Sequence, residues 1–294
     1  MTGFCRRSQL VTPASSEKLL EKALTIDCDS LVIDLEDAVA PTFKHEARQV
    51  LRRALARAEP GRRELCVRIN GLETPWCLDD LLALEGLPID TVVVPKVQGP
   101  EDLYVYDQLL RQLELRDGRR GLMLLALIES AGGVENALSI ARASRRCQAL
   151  IFGVGDFIAQ TGMAFDEQTL LPVRSRIVTA AVASGVQALD HVHPDVADSE
   201  GLVRAAQAGK KLGFTGKWAI HPRQVEPIGR VFSPDQDEIA TARRTIAAYE
   251  EAQREGRGAI IVDGLLVDEA VLKIAQRKLA LAERIAPEGE AQAS

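Results

Sequence analysis

Apolar and polar positions follow two alternating regimes along this chain. Short β-branched or aliphatic runs are separated by longer stretches in which apolar residues recur with helical spacing. The runs are SQLVTP (8–13), SLVIDLED (30–37), ELCVRIN (64–70), TVVVPK (91–96), GLMLLALIES (121–130), ALIFGVGD (149–156), VQALDHVHP (186–194) and GKWAIHP (216–222). Stretches such as SSEKLLEKALTI, KHEARQVLRRALARA, PEDLYVYDQLLRQLEL and SEGLVRAAQAGKKLG lie between them, each about one helix long, with Pro or Gly near the joins. Eight strand-then-helix units predict an α/β fold, a (β/α)8 TIM barrel closed by a parallel sheet. An open doubly wound sheet usually has fewer strands and would want a glycine-rich phosphate turn after its first strand. Here that strand runs into Pro13-Ala14-Ser15-Ser16.

The pattern changes near residue 235. A helical segment from about Asp235 to Arg254 leads to the joint Gly256-Arg257-Gly258, then to a short apolar run and turn (Ala259 to Asp268) and a last amphipathic helix over about Glu269 to Ile285. The predicted organisation is a barrel over residues 1–234, a C-terminal helical lid extension over 235–286 hinged at 256–258, and a disordered tail over 287–294. Such an extension can cap the barrel mouth or reach a neighbouring subunit.

Composition narrows the partners. With 294 residues, 46% hydrophobic and 27% charged, the chain can bury a large core without staples. Its 36 Lys and Arg against 42 Asp and Glu give a net charge of −6 with no long run of either sign. A phosphate backbone selects for basic excess, so nucleic acid is not expected as a partner. The pairs Arg6-Arg7, Arg62-Arg63 and Lys210-Lys211 read as solvated surface, or as contacts to a single anionic ligand. Five scattered cysteines, an odd number without CxxC spacing, argue against a disulfide framework or zinc site and point to a reducing compartment. The N-terminus lacks the charged-then-apolar run of a signal peptide, and no segment approaches 18 uninterrupted apolar residues. A cytoplasmic protein with no membrane partner is therefore expected.

In a barrel of this kind the reactive groups sit where strands end. Those ends read Glu36-Asp37, Arg68-Ile69-Asn70, Lys96, Glu129, Asp156, Asp190 to His193 and His221. Each follows an apolar run, where an unpartnered charge is costly. Glu129 and Asp156, on neighbouring strands, suit one hard divalent cation, Mg2+ or Mn2+, with room for water and substrate oxygens. The alternative is that they are strand-end carboxylates favoured near the next helix N-terminus. Arg68 reads either as a salt-bridge partner of Glu36 or Asp37 or as a fixed cation beside a developing oxyanion, and a guanidinium with five donors can be both. His191-x-His193 would form a zinc pair only with a third ligand that the sequence does not offer. Lys96 would be a Schiff-base lysine only with a lowered pKa. Gly153-Val154-Gly155-Asp156 reads as room for backbone close to metal and ligand.

Taken together, RRSQLVTPASSEKLLEKAL, VIDLEDAVAP, VRINGLETPW, VVVPKV, ALIESAGGVENA, FGVGD, WAIHPRQV and the late VDGLLVDEAV resemble the citrate lyase beta-subunit-like branch of the HpcH/HpaI aldolase superfamily, in order from about Arg6 to Ala282. That branch includes malyl-CoA, citramalyl-CoA and citryl-CoA lyases. The resemblance implies a TIM barrel with a C-terminal lid, a homotrimer or dimer of trimers, a bound Mg2+ and an acyl-CoA substrate cleaved to acetyl-CoA and a 2-ketoacid. It implies Glu129 and Asp156 as metal ligands, Arg68 on the substrate carbonyl, and Glu36 and Asp37 as the acidic pair that organises the metal's water shell and the arginine. It further implies Asp268 as a catalytic acid/base from the adjacent subunit. Arg6 to Ser16, including Pro13, Ala14 and Ser15, and Lys96 correspond to parts of the CoA-side wall. Condensation, thioester hydrolysis, the beta subunit of a multi-protein citrate lyase, or a CoA-binding subunit without activity use the same pocket. This chain departs from the pattern at Leu266 (often Met), Ala270 (often Pro), and His191 and His193 (often Gly and Tyr), which bears on lid geometry and substrate choice.

Overall fold

The computed structural model describes residues 4–56, 63–118 and 121–285, so the tail expected to be disordered and Arg62 lie outside it. Eight parallel strands close in chain order into a barrel. The elements are β1 (Ser8–Pro13), α1 (Glu17–Ala23), β2 (Ser30–Asp34), α2 (Lys44–Leu55), β3 (Glu64–Arg68), α3 (Cys77–Ala83), β4 (Thr91–Val94) and α4 (Pro100–Asp117). They continue with β5 (Met123–Ile128), α5 (Ala131–Glu135), α6 (Ala137–Arg142), β6 (Cys147–Phe152), α7 (Val154–Thr161) and α8 (Glu167–Ser184). The barrel ends with β7 (Gln187–Asp190), α9 (Ser199–Leu212), β8 (Gly216–Ala219) and α10 (Pro222–Phe232). The eight-unit barrel read from the hydrophobic runs is thus the observed architecture.

The strands read as continuous apolar runs because both of their faces are covered. In β2 all five residues are buried, as in β3. Val32, Cys66, Val93, Leu125, Leu127, Ala149, Ile151, Leu189 and Trp218 pack together in the barrel interior. Intervening residues such as Leu31, Ile33, Leu65 and Val67 belong to a separate cluster under the helices. At the start of the strands Arg6 is buried against Glu64, with Ser30 also donating to that carboxylate. Glu64 is the first residue of β3, so Arg6 belongs to the N-terminal face of the barrel and not to a ligand wall at the opposite end.

On the outside of the barrel, Asp190 at the end of β7 is buried with Arg174 of α8 (2.8 Å) and Lys217 of β8 (3.2 Å). Burial alone would raise the Asp190 carboxyl, but Lys217, His191 once protonated at low pH, and Arg174 outweigh it and hold it at about 2. Beside it, burial pushes His191 down to about 4 against the pull of Asp190. The fold therefore favours the neutral imidazole at residue 191. As pH falls below the unfolded value of about 6.5 the unfolded chain takes a proton that the folded one refuses. The His191 contribution to stability is expected to be complete above that pH and to fall by up to about 3 kcal/mol on approaching pH 4. It is read as the difference between wild type and His191→Phe in urea titrations at pH 7, 5.5 and 4.5, because buried carboxylates elsewhere in the fold contribute a slope of the opposite sign common to both proteins.

The described residues fall into two compact units that divide after Phe232. The second contains α11 (Gln236–Arg254), an antiparallel hairpin of β9 (Ile260–Val262) and β10 (Leu265–Val267), and α12 (Glu269–Ile285). A reciprocal Asp235 and Glu238 capping box starts α11. The hairpin turns at Asp263-Gly264, both with positive φ (50° and 80°), the pairing that a tight two-residue turn between twisted strands requires. Tyr249, Val267 and Leu272 form this unit's small core, and the Tyr249 hydroxyl donates to Gly258 O. No helix among the described residues is long and apolar enough to cross a membrane.

Candidate functional site

Three inward rows end in charge. Val32 is followed two residues on by Asp34, Cys66 by Arg68, and Leu127 by Glu129. Asp34 and Arg68 are register partners on adjacent strands, so their side chains meet: Nε and Nη2 of the guanidinium each donate to the Asp34 carboxylate at 2.7 Å. Nη1 faces Glu36 at 2.9 Å and Asp37 at 3.7 Å. The Trp218 ring, from β8, packs 5.6 Å from the guanidinium carbon, and its Nε1 donates to Gln9 Oε1 at 2.8 Å. Burial alone would lower the Arg68 pKa, but Asp34, Glu36 and Asp37 reverse the effect and raise it.

The loop after β2 is fixed from beneath. Asp34 accepts from the backbone N–H of Glu36 and Ala38, and Lys44 Nζ donates to the carbonyls of Leu35 and Glu36 at 2.8 and 2.7 Å. Asn70, read as a strand-end polar group, is spent on structure: its amide donates to Leu35 O and Asp80 Oδ2. Glu36 is buried while Asp37 is half-exposed. Burial, opposed by Arg68 and reinforced by Asp37, pushes Glu36 up to about 7.

Beyond β4, Lys96 has φ 54°, a left-handed conformation that costs a non-glycine residue roughly 1–3 kcal/mol and is tolerated where surrounding contacts impose it. The contact here is with Glu129: Lys96 N–H donates to Glu129 Oε1 at 2.6 Å. The Lys96 ammonium lies 3.2 Å from Glu36 Oε1 and 3.9 Å from both Asp37 Oδ1 and Asp156 Oδ2. Burial would lower its pKa, yet Glu36 and the other carboxylates raise it, the opposite of what a Schiff-base lysine needs.

Glu129 is pushed to about 8, first by burial, then by Glu36, and further by Asp156, with the Lys96 N–H opposing. A Cβ at Gly153 would stand 2.6 Å from Glu129 Cβ and Oε2, so only glycine lets the chain after β6 pass so close. Asp156 then falls in the first turn of α7 rather than at the end of a strand, because β6 stops at Phe152. The same shortening holds throughout: β2 ends at Asp34, β4 at Val94 and β5 at Ile128, with Glu36, Lys96 and Glu129 in the loops that follow. The charged groups of the cluster thus end or follow five consecutive strands, β2 to β6.

The cluster opens into a cleft of about 810 Å3 lined by Lys96, Glu129, Ser130, Asp156 and Gln160, with Glu73, Gln98, Asp102 and Tyr106 among the residues further along. Glu36 Oε1 and Oε2 and Asp156 Oδ2 are buried atoms that accept no hydrogen bond, and the ammonium and guanidinium are their only described ion-pair partners. Crowded carboxylates, oxygens without donors and a roomy polar cleft fit a hard divalent cation that keeps water or substrate oxygens in its shell. No group of three or more His, Cys, Asp or Glu side chains able to cage a metal is present among the described residues. Two carboxylates plus substrate are a common provision for Mg2+. His191 and His193 gain no third ligand: His191 Nδ1 lies 2.8 Å from Val192 O, and its ring packs edgewise against Phe152 and Phe165.

The remaining expected site residues fare differently. Ala14 is fully buried in the core, its N–H donating to Asp34 O, and so offers nothing to a ligand; the expectation of a CoA contact there is corrected. Pro13 ends β1 and Ser15 is exposed, and neither lines the cleft. Asp268 follows β10 in the second unit, where its carboxylate accepts from the N–H groups of Ala270 and Val271 at the start of α12. Two residues of the arrangement escaped the sequence reading, Asp34 and Trp218. The signal for both was the inward row, since each is at an even spacing from, or part of, the barrel-interior set.

The family model described as HpcH/HpaI aldolase/citrate lyase matches residues 7–222. A (3S)-malyl-CoA thioesterase of Cereibacter sphaeroides is 38% identical over 96% of this chain and 96% of its own length. The citrate lyase subunit beta of Leuconostoc mesenteroides subsp. cremoris is 38% identical over 94% of this chain and 93% of its own. Among solved structures, protein CitE from Mycobacterium tuberculosis in complex with magnesium, acetoacetate and coenzyme A superposes with a TM-score of 0.76 at 31% identity, covering 94% of this chain and 97% of that one.

Proposed function

The chain belongs to the HpcH/HpaI aldolase/citrate lyase family, and from that premise we propose a Mg2+-dependent carbon–carbon lyase that cleaves a 3-hydroxy dicarboxylic acyl-CoA, such as malyl-CoA, citramalyl-CoA or citryl-CoA, to acetyl-CoA and a 2-ketoacid. The observation that carries the reading is the convergence of Glu129 and Asp156 on one cleft beside a guanidinium locked by Asp34. The magnesium and coenzyme A in the Mycobacterium tuberculosis structure support it.

Breaking the bond between C2 and C3 turns the substrate hydroxyl into a carbonyl and leaves the thioester fragment as an enolate. A Mg2+ held by Glu129 and Asp156 would supply a Lewis acid at the hydroxyl and its neighbouring carboxylate. Arg68, kept fully charged and unable to swing by its fork on Asp34, faces the enolate oxygen as charge develops there. Glu36 and Asp37 hold Nη1 of the same guanidinium. Asp268, brought by the lid of a neighbouring subunit in a homotrimer or dimer of trimers, exchanges the proton at the enolate carbon. Closure that excludes water would make its carboxylate a better base.

A second reading is favoured by one observation, the relative named a thioesterase at 38% identity. Hydrolysis would release free CoA and an intact hydroxy acid, and a malate- or citramalate-forming synthase would also liberate the thiol. Incubation with malyl-, citramalyl- and citryl-CoA in Mg2+, scored by mass spectrometry and a thiol reagent, separates cleavage from hydrolysis. Acetyl-CoA and a ketoacid in equal amounts without free thiol supports the lyase. Free thiol with the hydroxy acid replaces it by the hydrolase, and inertness toward the whole panel overturns both.

A further inference from the structure

Lys96 touches both of the carboxylates just assigned to the cation, one through its backbone and one through its side chain. Its left-handed backbone aims the N–H at Glu129 Oε1, 2.6 Å away. Its side chain turns back over the cluster, so that the ammonium sits 3.9 Å from Asp156 Oδ2, 3.2 Å from Glu36 Oε1 and 3.9 Å from Asp37 Oδ1. The side chain lines the cleft and is 38% exposed, so it has solvent to move into. Arg68 is a different case: it is 9% exposed and held by two hydrogen bonds to Asp34, which is no part of the cation's expected surroundings. Of the two positive side chains at the cluster, Lys96 is the one with freedom to leave.

We propose that Lys96 is the resident counter-cation of the carboxylate cluster and that a divalent cation displaces its ammonium from Asp156 on binding. Ammonium and metal compete for the same oxygen and for the same negative field. The competition sets metal affinity below what two carboxylates backed by Glu36 and Asp37 would otherwise give. Once displaced, the ammonium is a free positive charge in the cleft, available to an anionic group of the substrate, so cation binding prepares the cleft for the anion that follows. This inference rests on Glu129 and Asp156 being the metal ligands.

The test is cation binding without substrate, read as the loss of the free Mn2+ electron paramagnetic resonance signal, in wild type, Lys96→Met, Lys96→Gln and Lys96→Arg. Methionine and glutamine accept the same backbone angle as lysine, with no β-branch to add strain. Two unit charges about 4 Å apart near a protein surface interact strongly enough that removing one should tighten Mn2+ binding on the order of ten-fold. Both neutral variants are expected to show it, and arginine is expected to stay within about two-fold of wild type. Neutral variants that bind Mn2+ no more tightly than wild type overturn the displacement while leaving the metal assignment intact. Absence of Mn2+ binding in every form overturns both together.

Discussion

Glu129→Gln is expected to cost turnover roughly a hundred- to a thousand-fold, and dialysis against EDTA to remove it to background until Mg2+ is restored. A Lewis acid at the reacting oxygen contributes several kcal/mol, and each ~1.4 kcal/mol is about ten-fold in rate. The fold should barely notice the substitution. Burial and neighbouring carboxylates already push Glu129 up to about 8, so near neutrality the cation-free protein holds mostly the uncharged acid there. An amide of the same shape keeps an oxygen for the Lys96 N–H and adds no buried charge. Turnover lost with the melting midpoint unmoved is the expected pair of results. A Glu129→Gln enzyme that turns over at the wild-type rate in EDTA would sink the metal assignment.

Arg68→Met is the second large effect and moves both quantities. Loss of a single well-placed donor to a developing oxyanion costs about 10²- to 10³-fold in kcat. Here the guanidinium also neutralises Asp34, which is wholly buried. Removing one partner of a buried pair typically destabilises by ~3–5 kcal/mol because the other charge is left uncompensated. The two losses separate in the double variant Arg68→Met with Asp34→Asn. Its stability should return in part, since Asp34 is no longer an orphaned buried charge although Glu36 keeps only Lys96 as an ion-pair partner, while turnover stays low. Arg68→Lys keeps the charge but not the fork, and should fall between wild type and methionine in kcat. Recovery of activity in the double variant would show that Arg68 is structural only.

The barrel was legible because parallel strands covered on both faces leave uninterrupted apolar runs, and each run marks a strand whatever its exact ends. The ends were less so. SLVIDLED reads as one run to Asp37, yet the sheet stops at Asp34, and this misplacement hid the residue that actually grips Arg68. Counting inward from Val32 by twos finds Asp34, just as counting from Cys66 finds Arg68. Ala14 was misread for the opposite reason: a motif shared along its whole length marks core packing as readily as ligand contact. The bent backbone at Lys96 leaves no trace in residue identity, because a lysine at positive φ is held there by its carboxylate neighbour and not by its own preference. Glycine at residue 153 was readable as space, though not as the space that Glu129 fills.

The charged cluster follows β2 to β6, and from the other side Trp218, held by Gln9, packs against its guanidinium. Such an asymmetric layout divides the molecule for directed evolution. If the proposed lyase reading holds, exposed positions in the turns after β7, β8 and β1 can be randomised and screened for new substrate preferences while the charged cluster is inherited unaltered by every member of the library; the buried Ala14 and His191 are left out of the randomised set.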